Sequence, residues 1–132
     1  MIVLDTSAVI AIALNEAEAG AFLTRIRQGG RSCLSASNYL EASLVLEGRR
    51  GAPGRTTFAS VIEHLRAIGT DIVAFDLEMA DHAREAYRRY GKGRHPAKLN
   101  FGDCFAYALA KALDAPLLYK GVDFGKTDII SA

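Results

Sequence analysis

Cysteine is scarce in this chain: Cys33 and Cys104 are the two among 132 residues, and neither sits in a CxxC or Cys/His pattern. That excludes a zinc site and a disulfide framework, leaving two buried free thiols. Net charge is equally low, because 16 Lys and Arg face 15 Asp and Glu to leave +1. The molecule as a whole therefore has no strong field to gather nucleic acid. Long hydrophobic runs are missing too. The longest, AVIAIAL, is too short to span a bilayer. The opening MIVLDTSAV carries no basic region ahead of its apolar run, so it reads as a core strand, not a signal peptide. A cytoplasmic location is expected. No internal repeat, linker or low-complexity segment is found. Nor is there a histidine pair for metal-independent acid–base cleavage, since His64 and His82 fall in separate predicted helices.

What is there supports one domain over residues 1–132. Half the residues are hydrophobic, enough to bury a core without staples. Ile2 to Leu4 reads as a short buried strand, followed by a helix to Leu14 capped by Thr6 or Ser7. Glu16 to Arg27 repeats apolar residues at helical spacing, and Ser32 to Ser35 is a second strand. A helix from Ser37 to Arg50 ends at Gly51-Ala-Pro-Gly54, and Thr57 to Ala67 is helical. Ile72 to Phe75 reads as a strand and Leu77 to Tyr90 as a helix. Gly91 to Ala97 forms a basic loop, and Phe101 to Leu113 another helix. Pro116 to Tyr119 is a late strand, with a further edge strand at Ile129-Ile130. Short strands alternating with longer helices predict a mainly parallel sheet covered on both faces, an α/β fold in three layers.

In such a fold ligands sit beyond the carboxyl ends of the strands. Four acids map to that end. Asp5 closes the first strand, Glu41 lies early in NYLEASLVLEGR, Asp103 stands in the first turn of the helix in LNFGDCFAYALAKAL, and Asp123 follows the late strand. Oxygen donors far apart in sequence but assignable to one site suit Mg2+ or Mn2+, and hence phosphate-ester chemistry. Each acid also has an ordinary reading. Asp5 could cap a helix, although Thr6 and Ser7 could do so and leave it free. Glu41 could be a surface helical residue, but Leu44, Val45 and Gly48 share its face and set it beside an apolar stripe. Asp103 could serve the helix dipole. Asp123 and Asp128 could both be turn residues. Two basic clusters stand out, Arg49, Arg50 and Arg55 around one turn, and Arg88, Arg89, Lys92, Arg94, His95 and Lys98 in another segment. Clustered cations can steer a phosphate backbone locally.

Taken together, MIVLDTSAVIAI, SASNYLEASLVLEGR and YGKGRHPAKLNFGDCFAYALAKALDAPLLYKGVDFGKTDI resemble the PIN-domain nucleases, specifically the VapC toxins of bacterial toxin–antitoxin pairs. The resemblance covers nearly the whole chain. It implies a PIN-like fold and an endoribonuclease dependent on Mg2+ or Mn2+. It makes Asp5 and Asp103 the metal ligands, with Glu41 and Asp123 completing the catalytic acids. The slot that many relatives fill with the fourth acid holds Gly121 here, so Asp123 is the nearest substitute and Asp128 a second candidate. A VapB-type antitoxin and a homodimer are the implied partners. A haloacid-dehalogenase phosphatase would need an Asp at position 7, which is Ser7. A receiver domain would need an acidic pair and a middle-strand Asp, and only Lys120 fits it.

Overall fold

The computed structural model describes residues 1–132. A four-stranded parallel sheet runs in the order β3-β2-β1-β4, with β1 at Ile2–Leu4, β2 at Ser32–Ser35, β3 at Thr70–Val73 and β4 at Leu117–Leu118. Register is set by Val3, which pairs with Cys33 on one side and Leu117 on the other. Successive residues of a strand point to opposite faces. Accordingly Val3, Cys33 and Leu117 enter one core with α5 (Leu77–Tyr90) and α6 (Phe101–Ala112). Ile2, Leu4, Leu34 and Leu118 enter the other, with α1 (Thr6–Ala13), α2 (Ala19–Gln28), α3 (Ala36–Arg50) and α4 (Ala52–Ala67). This is the expected three-layer α/β/α architecture. Each fully buried Leu, Ile or Val stabilises it by roughly 1.5–3 kcal/mol. Both cysteines are buried free thiols, as expected. No helix is long and apolar enough to cross a membrane.

Several boundaries differ from the sequence reading. The third strand starts two residues earlier, at Thr70, because Gly69 turns the chain at φ +100° and Thr70 then pairs with Ser32, hydroxyl to hydroxyl at 2.8 Å. Phe75 is left outside the strand and packs edge-on against Phe105. The fourth helix begins at Ala52, not Thr57. Gly51, at φ +64°, ends α3, and Pro53 sits in the first turn of α4, where its missing N–H costs nothing. The second helix starts at Ala19, not Glu16. The expected edge strand at Ile129-Ile130 is reduced to one bridge between Leu117 and Ser131.

The α3–α4 crossing is tight at Gly54. A Cβ there would lie 2.3 Å from the Leu46 carbonyl oxygen. Alanine normally strengthens a helix by about 1 kcal/mol over glycine, whereas forced overpacking costs about 1–3 kcal/mol. Gly54→Ala is expected to lower unfolding stability in urea; a rise would show that the crossing has slack.

Candidate functional site

The chain leaves β1 for β2 and β3 on one side and returns to β4 on the other, so the strand order switches beside β1. Asp5 sits at the carboxyl end of that strand, 3 % exposed. It caps α1, a correction to the expectation that Thr6 or Ser7 would do so. One oxygen, Oδ2, accepts from the Ser7 backbone N–H at 2.9 Å and the Ser7 hydroxyl at 2.6 Å. The Ser7 Oγ in turn accepts from the backbone N–H of Lys120, just after β4, at 2.9 Å. The other oxygen, Oδ1, is enclosed and has no hydrogen-bond partner.

Asp103 divides its carboxylate in the same way. Its Oδ2 accepts from the Asn100 backbone N–H at 3.0 Å, while Asn100 caps the Asp103 N–H at 2.9 Å, a reciprocal capping box. Glu41, half-buried on α3, presses its carboxylate onto the first turn of α6. A Cβ on Gly102 would displace the Glu41 carboxylate, so glycine leaves the room this placement uses. The buried stripe of α3 is Asn38, Ala42 and Leu46, and Leu44, expected beside it, is instead 59 % exposed.

Crowded acids out of water favour the neutral form. Burial pushes the Asp5 carboxyl up from 3.8 to about 7, with the Ser7 bonds pulling it down and the Asp103 and Glu41 charges adding to the rise. Asp103 is raised by its burial and, after the opposing Asn100 bond, by Glu41 and Asp123. The charges of Asp103 and Glu41 therefore act on Asp5, and those of Glu41 and Asp123 on Asp103.

Asp123 precedes the short 3-10 turn Phe124–Lys126 and makes no side-chain cap. Asp128 lies elsewhere. It accepts from the Tyr107 hydroxyl at 2.7 Å and Lys111 Nζ at 3.0 Å, with Arg89 at 3.7 Å. Those partners hold its carboxyl below the usual range, against the opposing effect of burial. Between the two candidates for the fourth acid, Asp123 is the one whose charge reaches Asp103. Lys120 pairs with Glu16 and Glu18 at 2.8 and 3.2 Å.

No three His, Cys, Asp or Glu side chains form a ready-made metal cage. The donor set nonetheless fits a hard cation. It is all oxygen, Asp5 Oδ1 is an enclosed orphan, and Mg2+ keeps several waters while taking only one or two carboxylates. Two contributors were missed in the sequence: Ser7 as the partner of Asp5, and Gly102. Gly102 was legible only as the small neighbour of Asp103.

The PIN domain profile matches residues 2–130. The chain belongs to the PIN-domain family. Within that family it is 46 % identical over 127 residues to Ribonuclease VapC30 of Mycobacterium tuberculosis, covering 96 % of this chain and 95 % of the relative. It is 45 % identical to Ribonuclease VapC of Mycolicibacterium smegmatis, covering 96 % of each. Among solved PIN structures, VapC20 of Mycobacterium tuberculosis, a sarcin–ricin-loop-cleaving toxin, superposes with a TM-score of 0.77 at 15 % identity, over 100 % of this chain and 98 % of that one. VapBC2 of Rickettsia felis, solved on a promoter DNA fragment, gives 0.73 at 15 % identity, over 100 % and 98 %. This PIN domain is an endoribonuclease of the VapC type, and its family requires a divalent metal.

The raised carboxyl of Asp5 has a measurable consequence in metal-free protein. The folded state holds a proton that the unfolded chain releases above 3.8, so stability falls as pH rises from 3.8 to about 7 and levels off above that. Asn can cap α1 without the charge. Asp5→Asn is expected to raise the urea midpoint at about pH 8 and leave it nearly unchanged at about pH 4. Equal midpoints for both proteins at the higher pH would contradict the buried-charge account.

Proposed function

We propose that residues 1–132 act as one PIN domain that hydrolyses RNA phosphodiester bonds with Mg2+ or Mn2+ at Asp5, Glu41, Asp103 and Asp123, as the toxin of a toxin–antitoxin pair. The observation that carries the site is the enclosed, unpartnered Oδ1 of Asp5 inside a cluster of mutually repelling carboxylates. Asp5 and Asp103 would hold the ion, each having one carboxylate oxygen not engaged at its helix start. When bound, a divalent ion supplies charge neutralisation and Lewis-acid polarisation of the phosphodiester.

The chain's own groups do the rest. Ser7 fixes the orientation of Asp5, and the capping box fixes Asp103. Glu41 lies against the α6 turn, where it can accept a proton or orient water at the site. Asp123, uncommitted to a cap, extends the acidic field beside Asp103. Without a cation the cluster repels RNA, so cleavage requires the ion. Lys92, Arg94 and Lys98, exposed on the loop that ends at the α6 cap, supply contacts to the RNA backbone. That loop is shaped by the Lys92 N–H to Leu99 carbonyl bond at 2.9 Å and by buried Ala97 and Leu99.

The solved neighbours support the antitoxin partner. Solved neighbours include a toxin–antitoxin complex from Klebsiella pneumoniae, and a VapB-type antitoxin is the corresponding partner here. The groove lined by Ile12, Leu23, Pro53 and Val61 offers it an apolar seat. A second copy of the chain fits the exposed Leu40, Leu44 and Phe101, which are 57 %, 59 % and 79 % exposed. A cytoplasmic location accompanies this reading, because the substrate is RNA.

The test is cleavage of RNA by purified, antitoxin-free chain with Mg2+, with Mn2+ and with EDTA. EDTA is expected to abolish cleavage, and Asp5→Asn or Asp103→Asn to lower kcat by about a hundredfold or more. Asp123→Asn should cost activity, whereas Asp128→Asn should alter stability and leave kcat within about twofold. Cleavage that survives EDTA and both ligand substitutions would overturn the proposal. Separately, Lys92→Glu with Lys98→Glu should weaken RNA binding and flatten its salt dependence; an unchanged slope would remove this loop from the RNA path.

A further inference from the structure

Asn38 is fully buried on α3, one turn before Glu41. Its amide nitrogen reaches three oxygens on three different elements. Its two hydrogens serve Thr6 Oγ1 at 3.1 Å on α1 and the Gly102 carbonyl at 3.0 Å on α6, and one of them is shared with Glu41 Oε1 at 3.4 Å on its own helix. Thr6 returns a bond from its hydroxyl to the Asn38 backbone carbonyl at 3.4 Å. Thr6 directly follows Asp5 and Gly102 directly precedes Asp103. One side chain thus ties together the segments that carry all three clustered acids.

We infer that Asn38 is a positioning residue that sets the spacing of Asp5, Glu41 and Asp103 for a divalent cation. This rests on the metal-nuclease reading above and deepens it. A residue needed only to fill space between α1, α3 and α6 would be apolar, because a buried amide costs free energy unless its groups are bonded. Here the amide is retained although its Oδ1 is enclosed without a partner. The bond lengths also divide the work. The shorter bonds to Thr6 and Gly102 brace α1 against α6, and the longest bond restrains the Glu41 carboxylate. Gly102 completes the arrangement by leaving room for that carboxylate against the α6 backbone. Groups behind metal-binding carboxylates typically change metal affinity or activity by about 10–100-fold when removed.

The experiment titrates Mn2+ into purified wild type, Asn38→Asp and Asn38→Ala by calorimetry, with thermal unfolding and RNA cleavage kinetics alongside. Asn38→Asp keeps the shape but replaces the N–H donors with acceptors facing three oxygens. Leu46→Ala, a core truncation on the same helix, serves as the stability control. Both Asn38 variants should bind Mn2+ at least about tenfold more weakly and lose kcat with little change in KM. Leu46→Ala should lower the unfolding temperature yet keep wild-type Mn2+ affinity. If Asn38→Ala matches Leu46→Ala in affinity and kcat, Asn38 is ordinary packing and the inference is overturned, while the metal-nuclease reading stands. If wild type itself binds no Mn2+, both fall.

Discussion

A carboxylate held out of water at the end of the central strand governs this molecule. Asp5 terminates β1, the strand that both cores share, and its burial lifts its carboxyl to about 7. Desolvation of that size persists in a fold only when hydrogen bonds offset part of it. Ser7 supplies two, and Lys120 orients Ser7 from the far side of the switch between β1 and β4. What remains is an oxygen with no partner inside the protein. The start of α1 and the β4 exit hold the carboxylate through Ser7, and the neighbouring acids act on it by charge.

The division of labour within each carboxylate resolves an apparent choice. An acid at a helix start can be a cap or a ligand, and the sequence alone presents these as rivals. Asp5 caps α1 through one oxygen and Asp103 closes the capping box of α6 through one, which fixes each side chain and leaves its other oxygen free. Capping is worth roughly 1 kcal/mol in stability; its larger effect here is to immobilise a donor. Glu41 is held differently, by packing against a glycine backbone and by the amide of Asn38.

The three-layer fold was legible because β1 and β2 are short, wholly apolar or small, and separated by helices with regular apolar spacing. Register was not. The start of β3 depends on the left-handed turn at Gly69 and on the Ser32–Thr70 pair, neither of which leaves a periodic signal. Four acids were legible as candidates, and the placement of three follows from strand and helix ends. Spacing did not separate Asp123 from Asp128, and the engagement of Asp128 by Tyr107, Lys111 and Arg89 depends on where those side chains reach in space. Asn38 was invisible as a functional residue for a related reason: its partners are 3, 32 and 64 positions away.

The central claim is that the free oxygen of Asp5 is the anchor of a divalent-cation site. The most direct measurement is anomalous diffraction from crystals grown with Mn2+, using the manganese signal to locate the ion. The account predicts a peak in direct coordination with Asp5 Oδ1 and shared with Asp103. Ordered Mn2+ elsewhere in the crystal, with no peak at Asp5, would contradict it.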